Sequence, residues 1–308
     1  MDDNLSLLQK ADIALADLTV GGKLQPEAAQ KFIRLLIDDS KLMKMSTVHG
    51  MKSHTGEIPK AKFGSRILRP GVEAQALAQG DRTKPDITNT ELVTKLFKAE
   101  VRIPNEVLED NIEQDSFKDT VMAMMGERMA ADMDEIAVKG DTASADLFLA
   151  QFDGILKQAT SNTYAHGGVV FNAAACKAML KTMPSQYLRQ KDKLRYITST
   201  DAYIDYADSI IQRATPGGDQ ALFTSQAPLY SGIPVLDCPM FPENISGNQT
   251  NAILTDPKNI AYGIWREITI ETDKDISAGV LKIVASIRFV VKFIEEGAVV
   301  KGTGILVG

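Results

Sequence analysis

Apolar residues recur along this chain with three different rhythms. From Pro26 it reads PEAAQKFIRLLIDDSKLMKM, where Phe32, Leu35, Leu36 and Met43 fall near helical spacing behind a proline suited to a first turn. This pattern predicts an amphipathic arm helix after the flexible break at Gly21-Gly22. VTKLFKAEVRIPNEVLED alternates Val93, Leu96, Lys98, Val101 and Ile103 as a strand closed by Pro104. Behind a cap at Asp115 or Ser116, Phe117, Val121, Met124, Met125, Met129, Met133 and Ile136 recur at spacings of three and four, with a stop at Lys139-Gly140. A helix of that length extends about 35 Å, long enough to run along most of a domain. Its methionine stripe reads as core packing.

After a connector at 141–165, the region from Gly168 to Asp273 mixes both periods. FNAAACKAMLKTMPSQY and STDAYIDYADSIIQRA read as helices, and LRYITS, PVLDC, AILTD and REITIETD read as strands. The closing GVLKIVASIRFVVKFIEEGAVVKGT is β-rich. Its Val280, Ile283, Val284, Ile287, Phe289, Val291 and Phe293 make a nearly continuous apolar strand suited to a buried sheet position. The chain thus begins and finishes one unit and inserts another between. No repeat is visible.

Residues 56–90 follow none of these rhythms. Glycines and prolines are scattered through them, and there is little apolar surface to bury. Here charge changes the picture. The 308-residue chain has 34 basic and 40 acidic residues, a net charge of −6, which argues against a dedicated nucleic-acid binder. From Pro59 to Thr90, however, six cations (Lys60, Lys62, Arg66, Arg69, Arg82 and Lys84) face three acids, a surplus of +3 that leaves −9 on the remainder.

Candidate chemistry is sparse. There are two cysteines, Cys176 and Cys238, and three histidines, with no Cys-x-x-Cys or His-Glu-x-x-His spacing; buried reduced thiols are expected, and no zinc site. His49, His54 and Glu57 lack a third strong ligand nearby. Neither Gly217-Gly218-Asp219 nor Gly302-x-Gly304 has phosphate-loop spacing, and no G-x-S-x-G elbow occurs. Asn244 and Asn248 match a glycosylation pattern by chance in a polar loop. MDDNLSLLQK lacks a basic-then-apolar leader and no apolar run reaches the ~18 residues of a membrane span, so a soluble chain without cofactor is expected.

The order of parts resembles the major capsid proteins of tailed bacteriophages, the HK97-fold family. AEVRIPNEVLEDN resembles the strand leading into that family's spine helix, and LYSGIPVLDCPMFP the turn and strand of its axial domain. LTDPKNIAYGIWREITIETDKD and IRFVVKFIEEGAVVKGTGI resemble later strands. The resemblance runs from about Pro26 to Val307. It implies an α+β fold with an N-terminal arm (1–55), an extended loop (56–90), a peripheral domain with a long spine helix (91–167 and 274–308) and an inserted axial domain (168–273). It further implies a non-enzymatic shell subunit that assembles with itself as hexamers and pentamers into an icosahedral head in the host cytoplasm. The implied partners are a separate scaffolding protein, a portal, a decoration protein and weakly held double-stranded DNA; no membrane is implied.

Within this picture the six loop cations are expected to lie on an acidic surface of an adjacent subunit. The spine helix is the candidate, through Asp119, Glu127, Asp132, Asp134 and Glu135. An encapsulin-like nanocompartment is the alternative with the same fold, and a cytosolic α/β hydrolase the alternative of another class.

Overall fold

The computed structural model describes residues 40–64, 66–71, 73, 75–104, 115–212, 228–265 and 269–308, with backbone alone at 115–120 and 269–270. Most of the expected arm helix, Gly217-Gly218, Asp219 and the side chain of Asp119 lie outside the described residues. Within them the arm ends in a short helix α1 (Lys41–Met45), whose Ser40 side chain caps the Met43 amide.

A first sheet is organised around β12 (Val280–Phe293). Along one side β4 (Lys95–Pro104) pairs antiparallel from Val280↔Pro104 to Phe289↔Lys95. Along the other side β11 (Thr269–Asp275) and then β10 (Ile260–Trp265) pair with successive halves of β12, and β1 (Thr47–Met51) adds parallel to β10. Ile283, Ala285, Ile287, Phe289, Val291 and Phe293 alternate inward from β12 and are buried with Met125, Met129, Met133 and Ile136 of the long helix α2 (Asp115–Lys139). Phe97, Phe152 and Phe289 interlock here, with ring centroids 4.8–6.3 Å apart.

The methionine stripe is therefore core except for Met124, which is 63% exposed. In β4 the inward set is Phe97, Ala99, Val101 and Ile103, and Leu96 faces out. Pairing to β12 sets that register, and the outward Leu96 breaks the apparent alternation.

The second sheet runs β5-β13-β9-β6-β8-β7, built from β5 (Thr163–Val170), β6 (Arg195–Thr198), β7 (Leu229–Tyr230), β8 (Ile233–Asp237), β9 (Gln249–Thr255) and β13 (Val300–Leu306). Helices α4 (Ala173–Thr182) and α5 (Thr200–Ile211) bury Ala175, Cys176, Met179, Ala202 and Tyr206 against one face. Ile197 and Ile253 turn to the other face and join the core under α2. A short α3 (Ile155–Gln158) follows α2.

This sheet crosses the expected boundaries at 167/168 and 273/274. β5 ends the segment expected as connector, and β13, expected with the first unit, pairs parallel with β5 and antiparallel with β9. β10 and β11, expected with the insert, pair in the first sheet. Strand partnership, which in β13 and β5 joins residues nearly 140 positions apart, sets these sheet memberships.

Asn172 caps α4 by accepting from the Ala174 and Ala175 amides. Asn172→Ala should cost about 1 kcal/mol in a urea melt, the usual worth of such a cap.

Candidate assembly surface

The segment expected as an extended loop is a β-hairpin. β2 (Thr55–Lys62) pairs antiparallel with β3 (Asp86–Val93) from Thr55↔Val93 to Lys62↔Asp86. Only its root is anchored. Leu92 is buried, and an added Cβ on Gly263 would meet Met51, Leu92 and Val290 within 2.8–3.2 Å, so the glycine allows the root to seat on β10 and β12. The Ile294 carbonyl accepts from Lys60 Nζ at 2.7 Å and Thr90 Oγ1 at 3.2 Å, and Thr94 Oγ1 donates to the His54 carbonyl at 3.0 Å.

Beyond the root both faces of the hairpin are open. Its tip between Phe63 and Pro85 has a single turn of 3-10 helix, Gln79–Asp81, as described regular structure. Leu68 is 85% exposed and Ile87 70%, with Phe63 and Ile67 about half exposed. An isolated two-stranded ribbon is marginal in water, and apolar groups displayed this way lack cover from their own chain.

The six cations divide into two groups. Lys60 and Lys62 reach Glu295 of the same chain, at 3.4 and 3.7 Å. They help secure the root within the subunit. Arg69 lies 3.7 Å from Asp81, and Arg82 Nε donates to the Leu77 carbonyl at 3.3 Å, both within the tip. Arg66 and Lys84 have no ion-pair partner among the described residues.

The acids expected on α2 are also redistributed. Asp132 pairs with Arg128 at 2.9 Å and Glu135 with Lys139 at 3.0 Å along the helix, leaving Glu127 exposed. Asp134 is corrected outright: it is only 5% exposed and cannot meet a neighbour's loop. Its Oδ1 accepts from Ser40 Oγ at 2.6 Å and Tyr262 OH at 3.4 Å, and its carboxylate also accepts from the Lys41 and Leu42 amides. Burial pushes its pKa up despite these bonds. Helical periodicity places 134 beside the core face, and the arm closes over it. Lys41 then pairs with Asp237 of β8 at 2.8 Å, tying arm, long helix and both sheets at one junction. Neither Glu295 nor this junction was expected, because each joins residues about a hundred or more positions apart.

Both cysteines are buried and unbridged, and burial pushes each thiol up to about 12, so neither is a ready nucleophile. His54 Nδ1 lies 3.1 Å from Thr94 Oγ1, a structural contact, and no metal-binding cluster occurs among the described residues.

A rooted hairpin arm, a long helix laid on a β sheet and a second sheet covered by two helices define the fold of HK97-like phage capsids. The satellite phage P4 procapsid including its size determination (Sid) protein matches with a TM-score of 0.69 and 13% identity, over 100% of this chain and 99% of that one. The capsid of a native GTA particle matches at 0.63 and 13% identity, over 87% and 90%. The holo-SrpI encapsulin complex of Synechococcus elongatus PCC 7942 matches at 0.60 with 8% identity, over 86% and 87%. Identities this low establish the fold alone.

Sequence carries the rest. The family model described as Phage capsid family matches residues 21–304, and the putative prophage capsid protein YqbE of Bacillus subtilis (strain 168) is 37% identical over 304 residues, 97% of each chain. The chain belongs to the phage capsid family. It is a shell-forming structural protein and a component of the virion capsid, which makes the nanocompartment alternative the less favoured one.

Proposed function

We propose that the hairpin 55–93 is the arm by which each subunit holds the next one in the shell. The observation that carries this is the outer hairpin: Phe63, Ile67 and Leu68 of the tip and Ile87 of β3 are displayed on a ribbon whose own chain covers only its root. On a neighbour these groups supply the apolar anchor, while Arg66, Arg69, Arg82 and Lys84 set register on an acidic surface. Exposed ion pairs contribute only about 0–1 kcal/mol each, so charge orients the arm more than it holds it. Repetition of such heterologous contacts closes rings and then a shell.

In this reading α2 with the first sheet forms the peripheral domain, and the second sheet with α4 and α5 forms the axial domain at the centre of hexamers and pentamers. Of the acids described on α2, Glu127 is the exposed one without an ion pair and serves as partner for the arm. The further partners that family membership brings to this reading are a scaffolding protein and a portal. Assembly takes place in the host cytoplasm. The subunit itself performs no catalysis, a reading supported by its capsid relatives and its inert thiols. An acidic chain holds packaged double-stranded DNA only by weak, non-specific contact.

Arg66→Glu with Arg69→Glu should lower particle yield in sedimentation and electron microscopy while leaving the subunit's thermal melt unchanged. Normal yield and particle stability would overturn the docking role of the arm's charge. Leu68→Asp should act more strongly, because it places a charge in the apolar anchor.

A further inference from the structure

The second sheet carries opposite charge at its two ends. Residues 171–195 contain six cations and one acid, a surplus of +5 within 25 residues of a −6 chain and larger than that of the hairpin. Lys181, Arg189, Lys191 and Lys193 are exposed, as is Lys258, which lines two open grooves of about 320 and 450 Å³ with members of this group. Helix α5 contains Asp201, Asp205 and Asp208 and no cation. These acids fall at i, i+4 and i+7, one face of the helix, with the 56%-exposed Ile204 among them.

Strand register puts the two groups at opposite ends. The basic segment leads into the start of β6, where Arg195 pairs with Thr255, so the turn Pro257–Asn259 and Lys258 lie at that end. Helix α5 leaves from the other end of β6, capped by Ser199. Asp201 lies there with Glu243, whose Oε1 accepts from the Asp201 amide at 3.5 Å. Asp205 accepts from the amide of Gly308, which follows β13 at the same end, since β13 runs parallel to β6 through β9. The ends are separated by at least the length of β6, about 13 Å at strand rise.

Among the described residues neither group is ion-paired, although Asp256 lines both grooves beside Lys258 and Glu295 lines one of them. Among the described residues no ion pair includes Lys181, Arg189, Lys191, Lys193, Lys258, Asp201, Asp205, Asp208 or Glu243. Oδ2 of Asp205 is shielded from solvent yet has no hydrogen-bond partner.

We propose that the basic end of one subunit's second sheet docks on the acidic end of the next, with Ile204 as the apolar contact, so that charge sets the direction of the ring. This rests on the reading that the second sheet faces its copies around a capsomer centre. The occupant is a second copy of this chain because an acidic complement of four carboxylates is present on the chain itself, at the far end from the cations. A heterologous contact between two different patches is what a ring requires, whereas self-complementary patches would stop at a dimer. Like ends repel, which disfavours head-to-head pairing.

The test is a charge swap in the full chain. Asp201→Lys with Asp208→Lys, and separately Arg189→Glu with Lys191→Glu and Lys193→Glu, should each reduce rings and particles by about tenfold or more, with unchanged thermal melts, since like charges then face each other. All five substitutions in one chain restore opposite signs and should recover most of the yield. The idea fails if both reversals assemble as wild type, or if the five-fold variant stays as defective as either one. It also fails if the basic reversal leaves rings intact and lowers only DNA retention, which would assign that end to the packaged genome. Arg66→Glu with Arg69→Glu reports on the hairpin separately, so failure of the arm reading and failure of this contact are distinguishable.

Discussion

Gly154→Ala is expected to destabilise the subunit by about 3 kcal/mol, the upper range for a side chain forced into filled space. Helix α2 ends where the Gly140 amide donates to Ile136, and the chain returns so that the Gly154 amide donates to the Gly140 carbonyl at 2.8 Å. A Cβ on Gly154 would lie 2.7 Å from Gly140 N and 2.8 Å from the Ala137 and Val138 carbonyl oxygens. All three are backbone atoms, so no side chain can rotate away, and relief requires moving the helix end or the buried Ile155 behind it. Gly71→Ala, where an added Cβ meets nothing within 4 Å, should change stability by no more than about 0.5 kcal/mol. Equal urea midpoints for the two variants would sink the argument.

The second large effect is expected at Asp134. Asp134→Ala removes the acceptor shared by Ser40, Tyr262 and the Lys41 and Leu42 amides, leaving buried donors unpaired at roughly 1–3 kcal/mol each; partial relaxation of the arm should bring the total to about 3 kcal/mol. Asp134→Asn keeps an acceptor and should be much milder, and it exposes the pH dependence. Burial raises the folded-state pKa above the unfolded value, so the folded chain holds this proton more tightly. Its stabilising contribution is complete below the unfolded pKa and is lost as pH rises through the folded one. Asparagine has no proton to lose. The stability of Asp134→Asn relative to wild type should therefore increase with pH from about 4 upward until the carboxyl is fully ionised. A difference that stays flat over this range would show that the carboxyl is already charged throughout.

Much of the fold was legible from periodicity. The length of α2 and its stop at Lys139, the strand character of β4, β6, β8 and β12, and the helices α4 and α5 follow from apolar spacing, because burial on one face imposes its period directly. β5 was missed because Tyr164, Ala165, His166, Gly167 and Gly168 give no apolar alternation; it is a strand because β13 supplies its backbone partners. The hairpin looks like a loop in the sequence because its outer part faces solvent on both faces, so side chains carry no signal of the pairing. The charge poles of the second sheet were open to simple counting, as the hairpin's surplus was, but their placement at opposite ends required the strand register.

The class of fold, then, followed from resemblance to a known family, while the amino-acid sequence by itself determined the long helix, the poorly covered segment at 56–90 and its positive surplus. These are local properties, and composition and period express them without knowledge of partners. Only the tertiary structure decided which charges are spent inside the subunit. It gave Lys60 and Lys62 to Glu295, buried Asp134 under the arm, and left Arg66 and Lys84 of the hairpin and the charges at the two ends of the second sheet without an ion pair among the described residues. A charge is available to a neighbour only if its own fold leaves it unpaired, and pairing between residues a hundred or more positions apart is a property of the folded chain.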